Sequence, residues 1–191
     1  NWRNAVGLYK EVIELVPTHS AALITLAKYY LEARLSDQVL ATADKVLATD
    51  PRNPQAGALK IAVLALDGSL PEATLKAEAL AKEFPTEPDV AILLATLYGQ
   101  HQRTADAVTV LRLALEAHQK NMDLLNNLNS ILLQAKDFAG AESVARRMID
   151  AEPTVFDNRL RLARLYDGQG APEKAETVLR DAIALDPQSE E

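Results

Sequence analysis

The stretch that decides the fold is residues 20–53, SAALITLAKYYLEARLSDQVLATADKVLATDPRN, because the proline near its end belongs to a regular series. Five prolines share one lattice with a spacing of 34 residues: Pro17, Pro51, Pro85, Pro153 and Pro187. Gln119 occupies the vacant lattice point between Pro85 and Pro153. A period of this length is typical of repeat proteins, whose supersecondary units bury a core only against their neighbours. The sequence therefore predicts a repeat array with its function on an extended surface.

The composition favours helices and limits the classes of partner. Of the 191 residues, 48% are hydrophobic, only 5% are aromatic and seven are glycine, which favours Ala/Leu-rich helices over strands. The net charge of −7 opposes the basic surface of a general nucleic-acid binder. The absence of cysteine excludes disulfides, thiol nucleophiles and cysteine zinc sites. We expect an all-α protein that does not bind nucleic acid.

Breaker-rich segments divide each 34-residue unit into two helices. The first helices are predicted to begin near five equivalent residues: Ser20, Pro54, Pro88, Met122 and Phe156. Proline suits the first helical turn, where its missing N–H costs nothing. Two S/T-x-x-acid patterns, Ser69 with Glu72 and Thr154 with Asp157, resemble capping boxes.

Large and small residues recur at fixed places in these units. The eleventh place of the five complete units is always large: Tyr30, Leu64, Tyr98, Leu132 and Tyr166. One place in the second helix is small except for Val39: Ala5, Ala73, Ala107, Ala141 and Ala175. A place in the first helix is small in three units: Ala27, Ala95 and Ala163. Small side chains let paired helices approach closely, so we interpret these as packing positions.

On these residues the chain resembles the tetratricopeptide repeat (TPR) family. The pairs Leu26-Ala27, Leu94-Ala95 and Leu162-Ala163, each followed by a tyrosine, fit its large-small-aromatic signature. The resemblance implies a right-handed α-solenoid of antiparallel helix pairs. It implies one array over 1–191: the second helix of a truncated repeat in 1–19, complete repeats at 20–53, 54–87, 88–121, 122–155 and 156–189, and a tail of 190–191. We expect the chain to be a segment of a longer protein, and its Ala/Leu-rich, cysteine-free composition is of a bacterial style.

Two units depart from the pattern. In the unit from Pro54, Gly57 and Lys60 replace large apolar residues and Ile61 replaces a small one. Lys60 is interpreted as a snorkelling side chain, or alternatively as a functional residue in the groove. In the unit from Met122, Asn129 takes the small place, and we expect it to be a hydrogen-bonded structural amide.

The family resemblance also implies a concave groove lined by first helices, where partners bind as extended peptides or helices. The implied lining residues run from apolar through amide to basic: Ile24, Thr25, Lys28, Leu59, Ala62, Ile92, Leu93, Thr96, Asn126, Asn127, Ser130, Arg161 and Arg164. We expect the apolar stretch to take hydrophobic side chains, and the asparagines and arginines to hold an acidic or carboxylate end. The alternative is that Arg161 and Arg164 form ordinary helix-surface pairs with Asp157 and Asp167.

Some TPR domains hold a C-terminal carboxylate with a Lys/Asn/Lys/Arg clamp. Asn127 and Arg161 match two of its places, but Ile92 and Leu93 replace a polar pair and Asp157 replaces a lysine. The departures argue against a complete clamp.

Catalysis has little support in the sequence. His19, His101 and His118 are far apart, and no phosphate loop, H-E-x-x-H pair or nucleophile elbow occurs. We predict a non-catalytic scaffold without cofactor or metal that binds a protein or peptide segment. Two alternatives are a regulatory or self-association module, with a homodimer formed through the apolar residues Val6, Leu8, Val12, Ile13 and Leu15, and RNA binding of the pentatricopeptide kind.

The sequence contains no apolar run of about 18 residues that could span a bilayer. We therefore expect no membrane insertion and a soluble protein, with cytoplasm and periplasm both open.

Overall fold

The computed structural model describes residues 2–185, which form helices joined by short turns and contain no strand. The helices alternate in length between 13 and 14 residues after the first. Their bounds are α1 Trp2–Leu15, α2 Ser20–Glu32, α3 Ser36–Thr49, α4 Pro54–Leu66, α5 Leu70–Glu83, α6 Pro88–Gln100, α7 Thr104–Ala117, α8 Met122–Gln134, α9 Phe138–Ala151, α10 Phe156–Gly168 and α11 Pro172–Leu185.

The 34-residue period is kept in the structure. The five even-numbered helices, α2 to α10, begin at the five predicted residues, so the predicted starts are confirmed. Pro17, Pro51, Pro85 and Pro153 lie in the turns after second helices, as Gln119 does, whereas Pro187 lies outside the described residues. The fold class is the predicted one, an α-solenoid of antiparallel helix pairs, whereas the repeat boundaries within one array stay a prediction.

The chain divides into two compact units, Asn1–Gln102 and Arg103–Glu191. In the first unit each helix packs against the next in sequence, and α4 also contacts α2 and α6. The first helices α2, α4 and α6 therefore form a layer of their own. In the second unit α7 to α11 likewise pack each against the next.

Most of the predicted packing positions lie in the cores of the units, whereas Ala5 and Leu64 are half-buried. Ala27, Ala73, Ala107 and Ala141 have no exposed surface, and Val39 is equally buried in place of an alanine. Of the large residues at the eleventh place, Tyr98, Leu132 and Tyr166 are buried, while Tyr30 is half-buried against the core. Within each unit, close contact of small and large side chains thus joins paired helices.

The turn inside each helix pair contains one residue with positive φ, and these residues lie on the same period. They are Arg34, Gly68, Gln102, Lys136 and Gly170, with φ between 56° and 92°. Such a left-handed residue ends one helix and lets the chain reverse into the next. Glycine adopts this conformation freely, but arginine, glutamine and lysine are strained in it.

The two predicted capping boxes are wrong. Ser69 is the N-cap of α5, but its ψ of 52° is not the extended conformation of a capping serine, and its side chain makes no cap hydrogen bond. The N-cap of α10 is Val155, so Thr154 lies one residue too early. Among the described residues, His19, Asn53, Asn121 and Asp137 cap their helices, each accepting a hydrogen bond from a backbone N–H of the first turn.

Candidate functional site

The first unit has an open apolar depression of about 350 Å³ on the layer formed by α2, α4 and α6. Its apolar lining is supplied by six residues: Leu31, Ala62, Ala65, Leu66, Leu93 and Leu97. Thr96 and Gln100 on α6, and Glu32 and Arg34 at the end of α2, add polar edges. Three of the predicted groove residues, Ala62, Leu93 and Thr96, meet here. We call this surface the unit 1 depression.

A polar network crosses the same three helices. Lys28 Nζ on α2 donates to Asp89 Oδ1 on α6 at 2.7 Å. Helix α4 packs against both of these helices and lies between them in the layer. Gln55 Nε2 on α4 donates to the other carboxylate oxygen of Asp89. The aspartate side chain keeps 21% of its exposure and accepts both bonds, so the network connects three successive first helices.

Sequence reasoning named Lys28 but missed its two partners. Gln55 and Asp89 hold the same place in their units as Asp157, so the 34-residue lattice was the signal that could have found them. Lys28 is not a free cation in the groove, because its charge is already paired.

Two predicted groove residues are not on the surface. Ile24 and Leu59 each retain only 5% exposure and belong to the core cluster of the first unit. Neighbouring helices cover both side chains. They therefore belong to the core and are not part of the candidate binding surface. Thr25 is half-buried and donates to its own helix at Ala21 O, while Ile92 is half-buried beside the depression without lining it.

The second unit has a pocket of about 300 Å³ between α8, α9 and α10, which we call the Asn129 pocket. Leu133, Phe138 and Leu165 form its apolar walls. Arg161 and Arg164 from α10 line it as well, so the structure brings together the two predicted basic residues. Neither sequence pattern nor period indicated that Phe138, the first residue of α9, would join them.

The alternative ion pairs of these arginines do not form. Among the described residues Arg161 makes no salt bridge with Asp157, and Arg164 makes none with Asp167. Both guanidinium groups are exposed and available to an anionic or aromatic partner group.

Asn129 differs from the satisfied amide that the sequence suggested. It is 6% exposed, it lines the Asn129 pocket, and its Oδ1 is buried without any hydrogen-bond donor in the part of the chain described here. A helix position that takes a small residue elsewhere in the array provides no backbone donor, because the N–H groups there are used by the helix itself. Buried acceptors of this kind are rare in proteins.

The remaining amide residues lie on α8 outside this pocket. Asn127 Nδ2 donates to the backbone oxygen of Asp123 at 2.8 Å, one turn earlier in the same helix. Asn126 is half-buried and Ser130 is exposed. Of the five polar groove residues predicted on α8 and α10, only Arg161 and Arg164 line the Asn129 pocket.

A further polar network connects α9 and α10. The Tyr166 hydroxyl donates to Glu142 Oε1 at 2.7 Å, and Arg146 donates both to that oxygen and to the phenolic oxygen. The hydrogen bond from Tyr166 lowers the pKa of Glu142 below its usual value of 4.5, and Arg146 acts in the same direction. Burial, helped by the bond to Glu142, raises the pKa of Tyr166 above 10.0.

Other sequence candidates have structural roles. Lys60 is exposed and pairs with Asp44 on α3 at 2.7 Å, which agrees with a side chain that reaches solvent. His19 caps α2, and His101 Nε2 lies 3.2 Å from Thr74 Oγ1. Within residues 2–185 no group of three potential ligands is placed to hold a metal, and no helix there is long and apolar enough to cross a membrane.

Comparison with known proteins places these features in a family. The profile described as Psidin, N-terminal TPR repeats region, matches residues 29–155, and the profile described as Tetratricopeptide repeat matches residues 132–191. No curated protein matches the chain.

Solved structures show the same fold at low sequence identity. The structure of Naa15/Naa10 bound to HypK-THB aligns with a TM-score of 0.67 and 23% identity over 85% of this chain and 24% of that one. MamA (MSR-1) aligns with a TM-score of 0.59 and 19% identity over 90% and 99%. YrrB, described as a TPR protein with an unusual peptide-binding site, aligns with a TM-score of 0.57 and 19% identity over 95% and 93%.

The chain thus spans about a quarter of the Naa15/Naa10 chain and nearly all of the MamA and YrrB chains. The profile matches, the helix period and these alignments agree with one another. The chain belongs to the tetratricopeptide repeat family, whose members are in general non-catalytic scaffolds for protein–protein interaction.

Proposed function

We propose that this protein binds a peptide or helical segment of a partner protein on its first helices, and that the unit 1 depression is the principal contact. The observation that carries the proposal is that apolar side chains from three successive first helices converge there on one open surface. Binding sites are typically concave and mostly apolar, with a few polar groups that fix orientation.

The depression is suited to a hydrophobic side chain of the partner. Leu66 keeps 41% of its exposure, and the half-buried Leu31, Ala62 and Leu93 complete the surface. Covering such a surface contributes roughly 25 cal/mol for each Å² removed from water. At the edge, Gln100 and Thr96 can bond the main chain of the segment, so that hydrophobic side chains supply affinity and polar edges supply register.

The polar residues of the second unit form a second proposed contact with the partner. Arg161 and Arg164 are cationic and exposed, and Asn126 and Ser130 on α8 offer uncharged hydrogen-bonding groups. Guanidinium groups bind carboxylates in a bidentate manner. An acidic segment of the partner is therefore the complement that these residues favour, and the net charge of −7 makes protein a better partner than nucleic acid.

The experiment compares peptide binding by two matched variants. Thr96 and Thr109 are both exposed, and each donates its hydroxyl to the carbonyl four residues earlier, but only Thr96 lines the depression. A displayed library of natural protein segments is selected on the native protein, and the selected peptides are measured against Thr96→Glu and Thr109→Glu by fluorescence anisotropy.

We expect Thr96→Glu to weaken selected apolar peptides at least about tenfold, which corresponds to 1.4 kcal/mol, and Thr109→Glu to leave them unchanged. The added carboxylate would have to be buried beside an apolar side chain, which is costly. Equal binding by both variants would remove the depression from the interface, and the absence of any selected peptide would contradict peptide binding itself.

Self-association is a second candidate, favoured by the outer face of α1. Leu8 is 62% exposed and Leu15 is 84% exposed, with Val12 and, just after the helix, Val16 also exposed. Ile13, predicted to belong to this face, instead packs against the core. Light scattering of the native protein and of the variant Leu8→Glu/Leu15→Glu tests this. A native dimer that the variant cannot form supports self-association. A native protein that is monomeric at about 100 μM contradicts it, because that concentration is far above the typical dissociation constants of specific complexes.

A further inference from the structure

We propose that the Asn129 pocket binds a tyrosine side chain from an acidic segment of the partner, and that Asn129 and the two arginines select it. The inference rests on the proposed function, because it assigns the residue type that the partner segment inserts into the second unit. It goes further in naming a subsite built from α8, α9 and α10 and the chemistry of its occupant.

The amide of Asn129 provides the first step of the argument. Asn129 occupies a place that is small in three other units, and its buried side-chain oxygen has no hydrogen-bond partner among the described residues. A buried acceptor without a donor is explained when a bound molecule supplies the donor. The occupant should therefore carry a hydrogen-bonding group at the end that reaches the floor of the pocket.

The apolar walls of the pocket are the second reason to expect an aromatic occupant. Phe138 and Leu133 are 42% and 40% exposed, although both line a cavity that could cover them, and Leu165 forms the third wall. An aromatic ring inserted here would cover all three side chains. Serine or threonine would leave the apolar walls uncovered, whereas an aromatic ring with a polar tip covers them and also offers a donor to Asn129.

The arginines provide the third step. Two guanidinium groups without ion-pair partners among the described residues disfavour a lysine or arginine tip in the same pocket, because like charges repel. They favour an aromatic ring, over which a guanidinium can lie, and acidic residues on either side of it. A neutral aromatic donor with acidic neighbours therefore complements the apolar walls, the amide and the two arginines of the pocket.

Tyrosine fits better than the other aromatic residues. Its hydroxyl both donates and accepts, so it matches either orientation of the Asn129 amide, and the final torsion of asparagine turns easily. When the amide turns its oxygen toward the hydroxyl, the orphaned acceptor gains its donor. Phenylalanine would leave the amide unsatisfied, and tryptophan offers only a donor at the side of a larger ring.

The test uses small probes and the full chain. N-acetyl-tyrosinamide and N-acetyl-phenylalaninamide are titrated into ¹⁵N-labelled protein while the side-chain amide resonances of Asn129 are followed by NMR. We expect the tyrosine probe to shift these resonances and to bind at least about fivefold more tightly than the phenylalanine probe, since a site built to bond a polar group rejects the analogue that lacks it. Absence of any shift, equal binding of the two probes, or tighter binding of N-acetyl-tryptophanamide would overturn the assignment.

Variants then attribute the selectivity to residues. Asn129→Ala restores the small residue that three other units have at this place, so it should fold, and it should abolish the preference for tyrosine over phenylalanine. Asn127→Ala, on the same helix but outside the pocket, should keep it. The variant Arg161→Gln/Arg164→Gln should abolish the preference for N-acetyl-Asp-Tyr-amide over N-acetyl-Lys-Tyr-amide. If Asn129→Ala keeps the tyrosine preference, the role of Asn129 is contradicted. If the double arginine variant keeps the preference for the acidic probe, the role of the arginines is contradicted.

These results are separable from those of the proposed function. Library peptides that bind the native protein and are weakened by Thr96→Glu, together with probes that ignore the Asn129 pocket, would leave peptide binding intact and remove the tyrosine subsite. Binding of the probes without any selected peptide would do the reverse.

Discussion

Glu142, Arg146 and Tyr166 show how single residues make the packing of α9 on α10 sensitive to pH. Because the pKa of Glu142 is lower in the folded chain than its usual value near 4.5, its carboxylate stabilises the fold above that value and loses the contribution as the pH falls through the folded pKa. The pKa of Tyr166 is raised, so its contribution is complete below about pH 10 and is lost at higher pH.

The first prediction compares the native protein with Glu142→Gln by urea unfolding at several pH values. The native protein should be the more stable near neutral pH, and its advantage should shrink from about pH 5 downward, where the carboxylate is protonated. Glu173→Gln, at an exposed carboxylate near the start of α11, is the matched control for the loss of one negative charge. An advantage that stays constant down to about pH 3 would mean that the network does not depend on the charge of Glu142.

Asn129 carries the second prediction at this scale. Replacement by alanine removes a buried acceptor that has no donor, so the free energy of unfolding should rise by up to about 1–3 kcal/mol. Urea unfolding monitored by circular dichroism measures the change. Loss of stability on replacement would show that the amide is satisfied in solution, by water for example, and would weaken the reason for placing a ligand there.

At the scale of elements, the third prediction concerns the contact between paired helices. Ala73 on α5 is fully buried and Ala79 on the same helix is exposed. Ala73→Leu should lower the free energy of unfolding by about 1–3 kcal/mol because three carbon atoms have no room, whereas Ala79→Leu should change it by less than about 0.5 kcal/mol. Equal effects at the two places would contradict the assignment of Ala73 to a close helix contact.

The left-handed turns support a fourth prediction. Lys136 has φ of 58°, a conformation that costs a residue with a side chain roughly 1–2 kcal/mol, and its equivalents Gly68 and Gly170 avoid that cost. Lys136→Gly should therefore stabilise the protein by about 0.5–1 kcal/mol after the entropy of glycine is subtracted. Gln134→Gly, at the last residue of α8 where φ is not positive, should give no such gain in stability. Thermal unfolding of both variants decides whether the turn is strained.

Comparison of the predicted and observed helices shows which features of the fold can be predicted from the sequence. The starts of α2, α4, α6, α8 and α10 were predictable because the period repeats five times and averages out local ambiguity. The capping boxes were not, since a serine caps only when its own backbone is extended, and Ser69 is not. Nor could the exposure of Ile24 and Leu59 be judged, because neighbouring helices decide which part of an apolar helix remains open.

At the scale of the whole molecule, each helix packs mainly against its neighbours in sequence, within the two units Asn1–Gln102 and Arg103–Glu191. Stability in such arrays is approximately a sum of local terms, so damage should remain near its origin. Leu94 and Leu162 occupy the same place in two different repeats, one in each unit, and are 3% and 1% exposed. They provide a matched pair for testing whether the molecule unfolds as one body.

Leu162→Ala should lower the free energy of local unfolding by about 2–5 kcal/mol, because apolar contacts are lost and a cavity remains. Hydrogen exchange should then show the largest loss of protection among the amides of α9, α10 and α11, with a smaller loss in α2 to α6. Leu94→Ala should give the reverse pattern, with the greatest loss in α4, α5 and α6. If both variants instead lowered protection equally along the chain, unfolding would be cooperative across the two units, and a partner bound at the unit 1 depression would stabilise the Asn129 pocket as strongly as its own surroundings.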